Sequence, residues 1–216
     1  MGSTQMKKST LMITVLCVLG ASPANAEERI YEIEPFTGIH VARGTTLEMS
    51  VGETLSAIAT SDAISLGELV VEVEDGVLHV KRRSLIKENG YRGAIVKVTA
   101  PSLALNYIEV STGSEADIKD LSIEDARVLV NTGSRAELAG SCGSIDAKIT
   151  TGAELDAHDL LCEKVKVKAR TGSSVDVFAS DSVEAYARMG SEITVYGKPA
   201  KVKKGKFLGA EINIKK

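Results

Sequence analysis

The chain has 216 residues, with 26 lysine and arginine residues against 29 aspartate and glutamate residues. Its formal net charge of −3 argues against nucleic acid as a partner, because nucleic-acid-binding surfaces depend on a strong excess of positive charge. Tryptophan is absent and aromatic residues make up only 4%, whereas small and β-branched residues, which suit thin stacked strands, are plentiful.

The first 26 residues have the pattern of a secretory signal peptide. Lys7-Lys8 precedes an apolar run over residues 11–19, and small residues precede a cleavage point after Ala26. The apolar run is shorter than the roughly 20 residues that a membrane-spanning helix needs. We therefore expect a mature chain without a transmembrane segment, periplasmic or secreted to the cell surface. Losing the two lysines lowers its formal charge from −3 to −5.

Residues 27–107 are expected to form a β-rich head that caps the rest of the chain, since an uncapped coil would expose an open edge. The pattern predicts strands over Arg29–Ile33, Gly38–Val41, Thr45–Val51, Leu69–Val73, Val77–Lys81 and Ala94–Val98. Glu74-Asp75-Gly76 lies between two of these runs and is a hairpin signal. No linker-like stretch separates the head from residue 108 onward, so we expect one continuous core.

Residues 108–216 contain six copies of one pattern, an alternating strand broken by a triplet of the Thr-Gly-Ser type. The glycines of the triplets, 18 to 20 residues apart, are Gly113, Gly133, Gly152, Gly172, Gly190 and Gly209. Counted from each glycine, odd positions are mostly apolar and even positions polar, which predicts strand rather than helix. A repeat of this length is typical of coils that stack on one another.

These observations predict an all-β chain, a right-handed parallel β-helix with about 19–20 residues per rung and a β-rich N-terminal cap. The inward side chains of successive rungs should lie in rows. One such row is expected to contain Val110, Val130, Ile149 and Ala169. The Thr and Ser side chains of the triplets are not interpreted as catalytic nucleophiles, because a nucleophile repeated at every rung has no chemical purpose. The triplets are expected instead to form a hydrogen-bonded ladder of bends.

Cys142 and Cys162 each precede a repeat glycine by ten residues, so they should lie on adjacent rungs. Parallel strands are about 4.8 Å apart, which is within the Cα separation of a disulfide. An oxidising compartment favours a disulfide over two stacked thiols. There is no Cys-x-x-Cys spacing that would indicate a redox-active pair.

Four segments in a fixed order resemble a known family. They are Pro35–Val41, Val73–Val80, Val96–Pro101 and Ile108–Ser114. Together they resemble the auto-transporter adhesin head GIN domain family (DUF2807) over essentially the whole mature chain. The resemblance implies an exported bacterial all-β protein with a β-helical C-terminal half and a role in adhesion. The family has no established catalytic residues that could be assigned to positions of this sequence.

Acidic side chains recur at fixed offsets and form the first set of candidate ligand-binding residues. The members at offset plus four are Asp117, Glu137, Asp156 and Asp176. Stacked like charges repel one another, so some compensation is expected from the basic residues that precede the bends, Lys148, Lys166, Lys168, Arg170 and Arg188. The acidic column is interpreted either as a solvated outer face or as a site for calcium or a cationic partner.

A second candidate set combines three rings at offset plus six, His158, Phe178 and Tyr196. They could stack on a sugar or on a protein strand, or they could simply pack the turn. Lysines between Lys198 and Lys206 are interpreted as protection of the open edge, or alternatively as a contact for anionic lipid or polysaccharide. The three histidines lack the spacing of a zinc site, so no metal or cofactor is expected.

The sequence favours an exported, non-enzymatic, adhesin-like binding module whose partner is an unknown protein or glycan surface, with no catalytic residues. One alternative is a carbohydrate-active β-helix enzyme, since β-helices also host such activities. The other is a structural scaffold of the cell envelope that forms oligomers through the ends of the coil.

Overall fold

The computed structural model describes residues 27–61, 63–84 and 93–215. The signal peptide predicted over residues 1–26 lies outside these ranges. The elements are β1 (Glu27–Tyr31), β2 (Gly38–Ala42), β3 (Thr46–Val51), β4 (Ser56–Ser61), α1 (Ala63–Glu68), β5 (Leu69–Glu74), β6 (Val77–Arg82), β7 (Ile95–Ala100), β8 (Tyr107–Ser111), β9 (Glu115–Asn131), β10 (Arg135–Thr150), β11 (Glu154–Arg170), β12 (Ser174–Arg188), β13 (Glu192–Tyr196), β14 (Lys201–Phe207) and β15 (Glu211–Ile214). No helix among these ranges is long and apolar enough to cross a bilayer.

The predicted parallel β-helix is confirmed as a β-solenoid of about five turns. The long strands β9, β10, β11 and β12 pair in parallel, each with the next along the chain. Each of them runs through one sheet, crosses a short third side and continues in a second sheet, with register shifts at the crossing. The coil therefore has two long walls joined by a narrow one.

The first sheet and the second sheet are named here by their strands. The first sheet contains, in order, β1, β4, β7, β3, the first parts of β9 to β12, then β13 and β15. The second sheet contains β5, β6, β2, β8, the last parts of β9 to β12 and β14.

The N-terminal strands extend both sheets. β2 lies between β6 and β8, and β3 lies between β7 and β9, all in parallel. Along the chain, β2 and β3 come first. The later strands β6 and β7 pair with one edge of β2 and β3, and β8 and β9 pair with the opposite edge. The antiparallel strands β1, β4 and β5 then close this end of the stack.

The predicted hairpin is confirmed, because β5 and β6 are antiparallel and joined at Asp75 and Gly76. Both turn residues have positive φ, 49° and 76°, as the favoured two-residue hairpin turn requires. The sequence did not predict β4 or the six-residue helix α1, which together connect the first pair of parallel strands to the hairpin.

A continuous row of inward side chains runs along the second sheet. Its members, in spatial order, are Val80, Val41, Val110, Val130, Ile149, Ala169 and Ala187. Every one of them is 0% exposed. The predicted row is therefore confirmed, and it extends into the N-terminal segment. Burial of these side chains provides the main driving force for stacking, since the free energy gained by removing apolar surface from water is proportional to the area buried.

The Thr-Gly triplets form the predicted ladder of bends. In the first copy Thr112 and Gly113 have φ of 58° and 65°, a left-handed conformation that a β-branched threonine rarely adopts. The amide of Gly113 donates a hydrogen bond to the carbonyl of Thr132 in the next rung, at 3.0 Å. The following rung repeats this bond from Gly133 to Thr151. Each bend is thus held in its strained conformation by the neighbouring bend.

The last strand of the second sheet places lysines where the interior rows end. Lys204 is paired with Ala185 and Lys206 with Ala187, so both lysines occupy inward-facing register positions. Both are nevertheless exposed, because no strand among the described residues pairs with the outer edge of β14. A charged side chain at an inward position opposes the addition of another strand. This arrangement supports the interpretation of these lysines as edge protection.

Val130→Asp should strongly destabilise the coil, because it places an unpaired charge in the middle of the buried row. We expect a loss of at least about 3 kcal/mol in unfolding free energy, measured by chemical denaturation. Asn131→Asp, at the adjacent outward position, is the control and should change stability little. Equal stability of the two variants would refute the inward assignment of Val130.

Lys204→Val combined with Lys206→Val should promote association through the C-terminal end, because it removes the charges that block the interior rows. Light scattering should show a mass above that of the monomer. Lys201→Val combined with Lys203→Val changes two lysines at outward positions of the same strand and should leave the mass unchanged. A monomeric inward double variant would show that these lysines do not protect the edge.

Candidate functional site

The acidic column predicted at offset plus four forms on the outer surface of the first sheet. Asp117 is paired with Glu137, Glu137 with Asp156, and Asp156 with Asp176. Glu48 of β3 extends the column by one rung. These carboxylates alternate with the buried residues of the same strands, so the column faces outward along the length of the coil.

The expectation that Lys148, Lys166, Lys168, Arg170 and Arg188 offset this acidic column is wrong. Those residues belong to the second sheet, whose outer surface faces a different direction. The compensating groups are neighbours on the first sheet instead. Lys119 lies 3.0 Å from Asp117, and Arg135 lies 2.7 Å from both Glu137 and Glu154. The repulsion is therefore relieved locally, within two residues or one rung.

Among the described residues, no group of three or more histidine, cysteine, aspartate or glutamate side chains is arranged to hold a metal ion. On the first sheet, Arg135 is one reason why the acidic side chains do not form such a group. It occupies the offset plus two position that is acidic in the copies on either side, Glu115 and Glu154. Its guanidinium engages the carboxylates that a calcium ion would need as ligands.

The structure brings two of the three predicted rings together. The rings of His158 and Tyr196 are 5.7 Å apart between centroids, and Lys215 lies 4.6 Å from the centroid of the Tyr196 ring. Phe178 is paired with Tyr196 in the sheet, but its ring lies against Gly197, where a Cβ atom would be 2.9 Å from it. The surface is therefore a histidine-tyrosine contact beside a phenylalanine packed on the turn.

His158 is also tied to the acidic column. Its Nδ1 lies 2.5 Å from Oδ1 of Asp156, and its Nε2 lies 3.3 Å from Oδ2 of Asp159. The hydrogen bond to Asp156, with added attraction from the carboxylates of Asp156, Asp159 and Asp176, raises the pKa of His158 above its ordinary value. The positive form of His158 is thereby favoured on this acidic surface.

Cys142 and Cys162 are joined by a disulfide in the structure, with Cα atoms 4.4 Å apart. They are register partners on the short third side of the coil, and both side chains are buried. The bond links β10 to β11 across 20 residues of sequence. This position fixes one rung to the next and leaves neither sulfur at a surface groove.

Sequence reasoning missed a pair of histidines that the fold brings together. His40 and His79 are register partners on β2 and β6, and their rings meet edge to face with centroids 5.4 Å apart. Burial, opposed in part by the charge of Glu109, lowers the pKa of His40. The matching triplets Ile39-His40-Val41 and Leu78-His79-Val80 are the sequence signal that could have predicted this pairing.

The outer surface of the second sheet has the opposite charge to the first. We define the basic face as the outward basic residues of β9 to β12 and β14. They are Arg127, Lys148, Lys164, Lys166, Lys168, Arg170, Arg188, Lys201 and Lys203. The outward acidic residues among them are fewer, namely Asp125, Asp146 and Glu184. The coil therefore separates charge between its two long walls, although the whole chain is close to neutral.

Shallow grooves lie on the basic face, and two of them share residues. The larger, of about 620 Å³, is lined by Arg127, Lys148, Lys168 and Arg170 together with Leu129 and the polar residues Asn106, Asp125 and Asp146. The smaller, of about 350 Å³, shares Lys168 and Arg170 and adds Tyr186 and Arg188. Because they share two residues, the grooves form one continuous depression that crosses several rungs.

The model of a family described as "Putative auto-transporter adhesin, head GIN domain" matches residues 35–199. No curated protein matches the chain. Solved structures with a similar fold include a "putative adhesin" from Bacteroides fragilis, with 15% identity, a TM-score of 0.72, and coverage of 91% of this chain and 100% of that one. A "putative lipid binding protein" from Parabacteroides distasonis has 17% identity, a TM-score of 0.58, and coverage of 90% and 98%.

A pH titration can test the coupling between His158 and Asp156. A histidine with a raised pKa in the folded state gains stability that is fully present below about pH 6.5 and is lost as the pH rises through its folded pKa. We expect NMR to show a His158 pKa above 6.5 that falls in Asp156→Asn. Asp146→Asn, on the second sheet, is the control and should leave that pKa in place. An unchanged pKa in Asp156→Asn would contradict the assigned contact.

Proposed function

The chain belongs to the auto-transporter adhesin head GIN domain family, and we propose that it acts as an exported, non-enzymatic binding module of the bacterial envelope. On this proposal the mature chain starts after Ala26 and is periplasmic or displayed at the cell surface. A rigid coil presents side chains at fixed spacings, and such a surface can bind a partner without a catalytic cleft. The partner is a glycan or protein surface that the outer walls of the coil contact directly.

The observation that carries this proposal is the separation of charge between the two long walls. Buried rows fill the interior, so the outward positions are free to vary without loss of the fold. Those positions nevertheless hold mainly acidic residues on the first sheet and mainly basic residues on the second. Such complementary potentials favour recognition of charged partners and faster association with them.

The carbohydrate-active enzyme is the weaker alternative. Enzymes of that kind need a cleft whose walls position a substrate and exclude water around the reacting bond. The rungs from β9 to β12 are nearly uniform, and the depressions described on the second sheet are shallow and lined mainly by charged side chains. Binding along an open surface agrees better with this shape.

The structural scaffold joined through coil ends is also less well supported. At the C-terminal end, an added rung would bury Lys204 and Lys206 against the interior rows. Burial of unpaired ammonium groups is costly. At the N-terminal end, antiparallel β1 and β5 replace the parallel edge that a further rung would need. Both ends therefore oppose head-to-tail stacking.

The experiment uses purified, fluorescently labelled residues 27–216 added to washed envelopes of the producing bacterium. We expect saturable binding that exceeds the binding of labelled serum albumin and that is displaced by unlabelled chain. A parallel incubation with soluble envelope polysaccharide should leave the length of the polysaccharide chains unchanged. Absence of saturable binding would refute the binding role, and shortened polysaccharide would instead favour the enzyme.

A further inference from the structure

The central part of the basic face contains cations that the described residues do not neutralise. Lys148, Lys168 and Arg170 have no carboxylate within 4.0 Å among the described side chains, whereas Lys166 lies 3.0 Å from Asp146 and Lys203 lies 3.6 Å from Glu184. These three unpaired cations lie on neighbouring rungs and line the larger groove. The unpaired charge is thus concentrated in the groove.

The register makes this concentration unfavourable in the free protein. Lys148 is the direct cross-strand partner of Lys168, and Arg170 is the direct partner of Arg188. Like charges directly opposite each other on paired strands are destabilising. Arg188 is partly accommodated by the ring of Phe207, whose centroid lies 5.9 Å from its guanidinium carbon. The remaining repulsion would be relieved by an anion that bridges the rungs.

We propose, building on the binding function proposed above, that this groove binds a linear anionic polysaccharide through its carboxylate groups. Arg170 offers a planar fork that matches a carboxylate, and Lys148 and Lys168 supply point charges on adjacent rungs. Rungs repeat about every 4.8 Å, which is similar to the length of one sugar unit in an extended chain. Successive uronate units can therefore meet successive rungs.

The uncharged side chains of the continuous depression that joins the two grooves also suit sugar rings. Leu129, Lys148, Lys168 and Tyr186 occupy one continuous row of register partners, so an apolar and an aromatic side chain flank the two lysines. Tyr186 is partly exposed in the smaller groove and offers the remainder of its ring together with a polar tip. Asn106 and Asp125 at the groove edge provide donors and acceptors for hydroxyl groups.

The same surroundings disfavour two other anionic partners. Asp125, Asp146 and Glu184 lie among the cations. They would repel a nucleic-acid duplex, which carries one negative charge per about 1.7 Å, more strongly than a polymer with one carboxylate per about 4.8 Å. A membrane surface favours exposed apolar side chains that insert between lipids. The exposed apolar residues Met189, Phe207 and Leu208 lie at bends or on the last strand rather than in the larger groove.

The test measures binding of a galacturonate hexamer to residues 27–216 by calorimetry. We expect binding that weakens as sodium chloride rises, because ion pairs at the surface are screened. Lys168→Gln combined with Arg170→Gln should lower the affinity at least about tenfold, as expected for loss of charged hydrogen bonds. Lys97→Gln combined with Lys119→Gln removes the same charge from the first sheet and should change the affinity less than about twofold.

Several outcomes would overturn the assignment. These are an absence of hexamer binding, equal binding of the fully methyl-esterified hexamer, equal affinity of the two double variants, and preferential binding to phosphatidylglycerol vesicles or to oligothymidylate. Circular dichroism confirms that each variant is folded. The envelope assay separates this inference from the broader proposal. If the Lys168 and Arg170 double variant still binds envelopes as well as the unmodified chain does, the groove assignment fails while the binding function stands.

Discussion

The structure depends on rows of inward side chains that must continue from one rung to the next. A single rung is only one strand thick and cannot bury its inward apolar side chains by itself. Each rung is therefore stable only between two others. Val130 illustrates this, since it lies between Val110 and Ile149 and is fully buried. The hydrogen-bonded bends stack for the same reason, because the strained Thr-Gly conformation is stabilised by its neighbours.

The dependence on rows separates the roles of inward and outward residues. Inward positions are restricted to side chains that fill a narrow interior, and the last of them, Lys204 and Lys206, close it. Outward positions are not restricted in this way, and they hold charge of opposite sign on the two sheets. The fold thus provides a stable rod, and the charge pattern on its walls provides the basis for recognition.

The sequence predicted the fold well because a repeat of alternating residues encodes strand, face and stacking at the same time. It predicted the position of β10 against β11 from the equal offsets of Cys142 and Cys162. It could not predict that β6 and β7 lie outside β2 and β3, because the spatial order of rungs departs from chain order where no repeat marks it.

The candidate surfaces were harder to predict, because offsets from a glycine do not show which sheet a residue joins. Lys148 and Lys168 were expected to neutralise the acidic column, yet the short third side turns them onto the other wall. The pairing of His40 with His79 was missed for a different reason, because their strands are separated by 39 residues of sequence and lie outside the six-copy repeat. The sheet to which a charged residue belongs can therefore be assigned only when the positions of the corners of the coil are known.

Hydrogen exchange of the folded chain tests the stacked rows most directly. Amides in the second-sheet parts of β9, β10 and β11 should exchange slowest and at similar rates, because each has a rung on both sides, and amides of β15 should exchange fastest among the strands. Exchange of β10 amides as fast as those of β15 would contradict the account, since it would mean that the central rungs are not held by their neighbours.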